Sequence, residues 1–549
     1  MLLQVLGSSI LGAILVTQIR GSEKCSSFLS CYVLPAIAIA TVHCLCLAFY
    51  HIILYPFYLS PLRHLPHPKQ RPLHQRFLSE PGYRRLVSWT NDVPNDGLIR
   101  YYGLLNAERV LVTNPQGCKD VLQTQAYNYI KLPWALEVMG QIAPQGILVS
   151  PPKKHRMDKK IMQPAFKFKY VKDLSPIFWA EGAKFLTAIE KQLDETKESI
   201  VDIGSRLHHV TLDVICLTAF GASIHAVENP QSAQVKKFRN LFATKTSHLM
   251  YRFTAFILPL WLYRRLPVKA RNEIMDARKT ISEFVRPLVQ ERRRNKDGPE
   301  AVKYGQGDVI ATLLQSGADF SDEYLIDQSI HFMLAGQETT ATATAFTLYS
   351  LSEHSPEWQT KLRDEIRANL PSPSSNTPVD ATQLESLPYL VAVCNEVLRL
   401  YSPVVYCHRQ TITHSATVLG TPIPMDTVIV VAPGLIHESK HVWGPRASEF
   451  VPERWLTQDS NGETRVDPLG GTNDVYAVMP FTYGPRACIG ERFARGELLS
   501  LVAQLVGRFE WKFKGIGRAG DKPMQVAHAV VAGPVGGGMT CYAKRVDGW

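Results

Sequence analysis

The sequence predicts a mainly α-helical protein with small β-sheets, built as one large domain behind an N-terminal membrane anchor. Three observations carry this. Residues 25–62 contain no Asp, Glu, Lys or Arg. Long helical patterns fill 170–400, whereas β-rich runs such as 108–113 (ERVLVT) and 427–432 (TVIVVA) are short and few. From about residue 75 onward there is no repeat and no linker that would split the chain. The expected boundaries are an anchor at 1–60, a proline-rich hinge at 61–75 and a single domain at 76–549.

Within the uncharged segment, Val33 to Leu54 is a continuous apolar run, and a spanning helix needs about 20 residues. A buried core helix would read the same way. Tyr50, Tyr55, Phe57 and Tyr58 stand where an interfacial aromatic belt belongs, and Arg63, Lys69, Arg71 and Arg76 follow. That basic flank places the main domain on the cytoplasmic side. Met1 to Ile19 is also uncharged and lacks the basic leader of a signal peptide, so one span or two is open. Pro56, Pro61, Pro66, Pro68 and Pro72 then form a stiff connection that cannot continue a helix.

Composition is that of a folded protein, at 45% hydrophobic and 20% charged. A net charge of +11 is modest and spread out. It suits anionic lipid or an acidic partner, and without zinc-finger spacing or a glycine-rich phosphate loop no nucleic acid is expected. Of ten cysteines, four lie in the apolar first 46 residues and the rest are scattered singly, which is not the pattern of a disulfide scaffold and points to a reducing compartment for the main domain. The polar stretches 292–307, 371–378 and 458–474 read as surface loops. The apolar stretch 251–263 (YRFTAFILPLWLY) reads as a buried helix or turn, or as a segment dipping into the bilayer.

A helix is predicted from about Asp322 to Glu353, with Ser321 as its cap, Asp322 and Glu323 in the first turn and Pro356 closing the run. In its middle, Gly336 and the Thr339–Thr340 pair are poor helix formers. Thr339 can bend the helix through its hydroxyl, and the missing side chain at Gly336 leaves room for a ligand. A kink in a buried helix is the bland alternative. Pro388 opens another helix, in which Glu396 and Arg399 share a face.

The most informative stretch is 480–497, PFTYGPRACIGERFARGE. Cys488 is flanked by Gly484 and Gly490, which let backbone approach a flat ligand. Surrounding amides and the start of the next helix would lower the thiol's pKa. Arg486 is suited to a carboxylate. A turn with a buried cysteine is the alternative.

Phe481-x-x-Gly484-x-Arg486-x-Cys488-x-Gly490 resembles the haem-binding signature of the cytochrome P-450 haem-thiolate monooxygenases. The order of the other motifs is similar to that family across nearly the whole chain after the anchor, and LYPFYLSPLRHLP is similar to the membrane-proximal segment of fungal members. The resemblance implies a haem-thiolate monooxygenase-type domain. It makes Cys488 the axial ligand of haem b iron, a thiolate that favours O–O cleavage. Phe481, Gly484, Arg486 and, after the Glu–Arg helix, Arg409 are implied as cofactor-binding residues.

Glu338 and Thr339 match the family's acid–alcohol pair, which relays the protons that O–O cleavage needs. Pro452-Glu453-Arg454-Trp455 resembles the segment whose Arg joins the Glu–Arg pair, making Glu396, Arg399 and Arg454 a buried brace. His155 and Lys159 stand where the family often has Trp and Arg. The implied function is insertion of one oxygen atom from O2 into an apolar small molecule, in fungal secondary metabolism. Only 61 residues follow Cys488 and no flavin module precedes it, so electrons are expected from a separate NADPH-dependent reductase. Arg486, Arg492 and Arg495 would suit docking of that acidic partner. The implied location is the endoplasmic reticulum membrane, against lipid, with the catalytic domain in the cytosol. A haem-thiolate isomerase or dehydratase, or a haem protein without turnover, would lack need of the acid–alcohol pair.

Overall fold

The computed structural model describes residues 32–242, 254, 260–263, 265, 268–295, 309–375, 377–516, 524–528, 531–534 and 538–549. The segment 1–19, most of 251–263 and most of the 292–307 loop lie outside the described residues. The chain forms two units, residues 1–111 with 426–429, and residues 112–425 with 430–549.

In the first unit, helix α1 (Leu34–Phe49) runs on without a break as a π-helical stretch, Tyr50–Leu59. Leu34–Leu59 is long and apolar enough to cross a membrane, with a mean hydropathy of 2.1. Pro56 therefore lies inside a helix rather than in the connection that the sequence predicts after it. A proline ring crowds the carbonyl four residues back and brings no N–H. Here the wider π register loosens that contact, and the Ile52 carbonyl takes a hydrogen bond from Asn106 Nδ2 at 2.5 Å instead. The Pro56 carbonyl accepts from Tyr102 Oη at 3.1 Å and from Arg100.

These partners sit on and between strands β1 (Leu98–Tyr102) and β2 (Glu108–Val112). Arg100 Nε meets Glu108 Oε1 at 2.5 Å, and Ser60 Oγ donates to Glu108 Oε2 at 2.7 Å. Ser60 also caps the turn that follows, accepting from the Leu62 N–H at 3.1 Å. The proline-rich segment then runs beside β1, where the Pro66 carbonyl accepts from the Arg100 N–H at 2.8 Å.

The second unit is mostly helical with short sheets, as predicted. Its helices include α2 (Pro152–Met162), α3 (Phe168–Thr196), α4 (Ile203–Phe220), α5 (Asp322–Glu353), α6 (Pro388–Leu400) and α7 (Glu491–Arg508). Strand β3 (Tyr129–Ile130) pairs antiparallel with β5 (Cys407–Thr411), and β4 (Ile200–Asp202) edges a three-stranded sheet with β6 (Phe509–Ile516) and β7 (Met539–Arg545).

Helix α5 starts where the sequence places it, with Ser321 Oγ accepting from the Tyr324 N–H at 3.2 Å. It is buried on nearly every side, packing on α4 and α7 among others. Thr344 and Thr347 satisfy their hydroxyls within the helix, each donating to the carbonyl four residues back at 2.9 Å. Phe178, Phe220, Phe346 and Val502 fill the core between these helices. A buried scaffold of this kind holds the loops at its edges to one geometry.

Candidate functional site

The loop before α7 is closed by its own backbone. The Cys488 N–H donates to the Phe481 carbonyl and the Ala487 N–H to the Gly484 carbonyl, both at 3.0 Å. Gly484 has φ +82°, and a Cβ there would lie 2.1 Å from the Leu122 carbonyl oxygen. Glycine is thus required here by a close approach of chain to chain. Cys488 is exposed by area yet lies deep in the unit, so its thiol faces an interior hollow. Burial pushes the thiol above its ordinary pKa, against the Gly490 N–H and the Lys159 charge, with Glu491 adding to the rise. The lowered pKa expected from the flanking amides is not realised in the protein alone, because desolvation outweighs one N–H bond. Coordination to a metal would remove that proton outright.

Basic side chains converge beside this loop. Arg486 lies over the Tyr127 ring, 5.5 Å from its centre, and its Nε and Nη2 are buried with no hydrogen-bond partner. Arg409 is buried on the inward face of β5, donating to the His408 carbonyl at 3.0 Å. Tyr129 pairs with Thr411 and Ile130 with Gln410. The same register carried one residue on sets Lys131 opposite Arg409.

Lys131 Nζ donates to the Leu148 carbonyl at 2.8 Å. Burial, then Arg409 and Arg486, pull its pKa down to about 7. Burial, with Arg486, Lys159 and Lys131, lowers His155 to about 4. Cations that depress one another, with orphaned donors between them, fit the carboxylates of an anionic cofactor such as haem. Lys131 was not singled out from sequence, since only the strand register brings it here.

Two expectations about basic residues are corrected. Arg486 turns inward and Arg495 is tied to Asn395 Oδ1 at 2.8 Å and Glu491 Oε1 at 3.1 Å. Arg495 also lies over the Phe481 ring. Neither is a free docking charge.

On α5, Thr339 Oγ1 donates to the Ala335 carbonyl at 2.7 Å, the back-bond expected of its hydroxyl. Ala335 is exposed, and Leu334, Gly336, Glu338 and Thr339 around it are part-buried, so this turn is the open stretch of an otherwise buried helix. Gly336 serves a different purpose from the one expected. A Cβ there would stand 2.9 Å from Ile215 Cδ1, so the missing side chain makes room for α4 rather than for a ligand. Thr211 Oγ1 donates to the Gln337 carbonyl at 2.9 Å and Gln337 Nε2 to the His208 carbonyl at 3.2 Å, stitching the two helices together.

Glu338 and Thr339 are part-buried and Thr340 is buried. Glu497 of α7 is fully buried beside Thr340; burial pushes its carboxyl well above the ordinary range, with the Thr340 hydroxyl acting the other way. This contact brings the threonine pair to the helix that follows Cys488. Nothing in the sequence alone marked Glu497.

Glu396, Arg399 and Arg454 do form one buried cluster. Arg399 Nε and Nη2 donate to Glu396 Oε2 and Oε1, each at 2.8 Å, and Arg454 Nε reaches Oε1 at 3.1 Å. Arg399 Nη1 also donates to the carbonyls of His437 and Ala447, at 2.5 Å each. His437 completes the link to the cysteine loop. Its Nδ1–H donates to the Arg399 carbonyl at 2.9 Å, while Nε2 accepts from the Met479 N–H at 2.9 Å, two residues before Phe481. Burial and then Arg399 hold His437 neutral, at about 3.

The family model for cytochrome P450 matches residues 97–536. The chain is 32% identical over 512 residues to cytochrome P450 monooxygenase sphH of Aspergillus fumigatus, covering 91% of each chain. It is 31% identical to cytochrome P450 monooxygenase ALT8 of Alternaria alternata, over 90% of this chain and 92% of that one. Cytochrome P450 monooxygenase FSL4 of Gibberella zeae shares 33% over 84% of each chain.

Proposed function

Since the chain belongs to the cytochrome P450 family, an oxidoreductase family with haem iron on a cysteine thiolate, we propose that it inserts one atom of O2 into an apolar small molecule. We infer that it does so in fungal secondary metabolism with electrons from a separate NADPH-dependent reductase. The observation that carries this reading is the inward-facing Cys488 thiol beside buried Arg486 donors that have no partner.

Cys488 is the assigned ligand of haem b, which when bound supplies the oxygen-activating chemistry. Arg486, Arg409 and Lys131 would hold its carboxylates, and Phe481 and Gly484 fix the loop that would present the thiol. Glu338 and the Thr339 hydroxyl move protons toward the reacting oxygen; Thr339 Oγ1 can exchange its bond to the Ala335 carbonyl for one to water or substrate oxygen. The Glu396–Arg399–Arg454 cluster, extended through His437, keeps the loop in place. Leu34–Leu59 serves as the anchor in the lipid of the endoplasmic reticulum, within boundaries of 1–60, 61–75 and 76–549, with the catalytic domain in the cytosol.

The test is the carbon monoxide difference spectrum of the dithionite-reduced protein in its membrane, beside Cys488→Ala. A strongly red-shifted Soret band that the substitution abolishes is expected. A band of the His-ligated type, or no haem in folded protein, would overturn the assignment.

A further inference from the structure

Lys159 stands apart from the other lysines of α2. Lys153 and Lys160 are exposed, and Lys154 pairs with Asp158 at 2.8 Å. Lys159 lies one turn from His155, on the inward face of the helix. Its Nζ donates to the Pro485 carbonyl at 3.0 Å and to the Ala487 carbonyl at 2.8 Å. Those two carbonyls flank Arg486, and Ala487 directly precedes Cys488. An ammonium carries three donors and no acceptor, so two of its three are committed to the backbone that presents the thiol. Its charge also acts on His155 of the neighbouring basic cluster.

We propose that Lys159 is a positioning residue for Cys488, whose charge, fixed on the Pro485 and Ala487 carbonyls, raises the reduction potential of the haem iron. This rests on the haem-thiolate reading given above. Reduction adds one negative charge to the iron–thiolate unit, and a cation held nearby in a partly desolvated loop favours the more negative state. Hydrogen-bonding the two carbonyls also turns their negative ends toward the lysine. Outer groups of this kind commonly tune a metal site.

The test compares the Fe(III)/Fe(II) midpoint potential and the carbon monoxide spectrum of the full-length haem-loaded protein with Lys159→Arg, Lys159→Gln and Lys159→Met. Arg keeps the charge, Gln keeps a donor without charge, and Met keeps neither. The expected result is a wild-type potential for Arg, and for Gln and Met a reduction equilibrium about tenfold less favourable, or 59 mV for one electron. A wild-type potential in Gln would show that loop bracing matters and charge does not, overturning the proposal. Unchanged potentials in all three would overturn it equally. If Met fails to load haem, Arg against Gln decides alone. Absence of the red-shifted band in the wild type would instead reject the haem-thiolate reading itself.

Discussion

Replacing Glu396 by Gln preserves shape and removes one charge at the centre of the brace. The carboxylate accepts five hydrogen bonds. Oε1 takes those of Arg399 Nη2, Arg454 Nε and the Val451 N–H, and Oε2 those of Arg399 Nε and Trp455 Nε1. Whichever way the amide turns, its NH2 faces donors. The cheaper orientation places it at Oε2, which strands one guanidinium N–H and the Trp455 indole. A hydrogen bond to a charged group is worth about 1.5–3 kcal/mol, and Arg399, only 1% exposed, loses its counter-ion as well. Breaking a buried pair costs about 3–5 kcal/mol, and that is the expected loss in urea unfolding at pH 7.

The pH dependence carries a sign. Burial alone would raise Glu396, but the Arg399 bond and charge, Arg454 and the Val451 N–H outweigh it and hold the carboxyl below the ordinary range. Its stabilisation is therefore complete above the unfolded value of about 4.3 and is lost as pH falls through the folded one. The gap between wild type and Glu396→Gln should close in acid. A cost under about 1 kcal/mol at pH 7 would refute the idea that these charges are dry and mutually dependent.

Three further outcomes are expected. Gly336→Ala should cost about 1–3 kcal/mol through overpacking, and Ile215→Val should relieve part of that, giving a coupling of at least about 0.5 kcal/mol in a double-mutant cycle. Lys131→Met should flatten the pH dependence of the haem-free protein. A lysine held at about 7 makes the unfolded chain bind more protons up to about 10.4, so wild-type stability rises across that window and the variant's does not. Thr339→Ala should retain the haem but consume reductant without matching product, and unchanged coupling would remove its proton-relay role.

What the sequence made legible was local. The cap at Ser321, the helix end before Pro356, the proline opening at Pro388 and the Glu396–Arg399 spacing all depend on neighbours a few residues apart, and the structure has each of them. The Cys488 loop was legible because its glycines and charges are compressed into one stretch. What escaped was long-range. Lys131 meets Arg409 through a strand register, His437 meets Met479 across a turn, and Glu497 meets Thr340 between two helices. The reading of Gly336 as ligand space fails for the same reason. A glycine signals close approach, but only the packed chain says that Ile215 and Leu122 are what approach.

The π-helical stretch Tyr50–Leu59 also decides where the chain can be cut. A soluble version beginning at Ser60 would discard the Ile52 and Pro56 carbonyls, leaving Asn106, Arg100 and Tyr102 without the acceptors they hold there. One beginning at Tyr50 would shed the uncharged helix Leu34–Phe49 yet keep that seam closed. The apolar tail is therefore two parts with different owners, one disposable and the other a piece of the folded body.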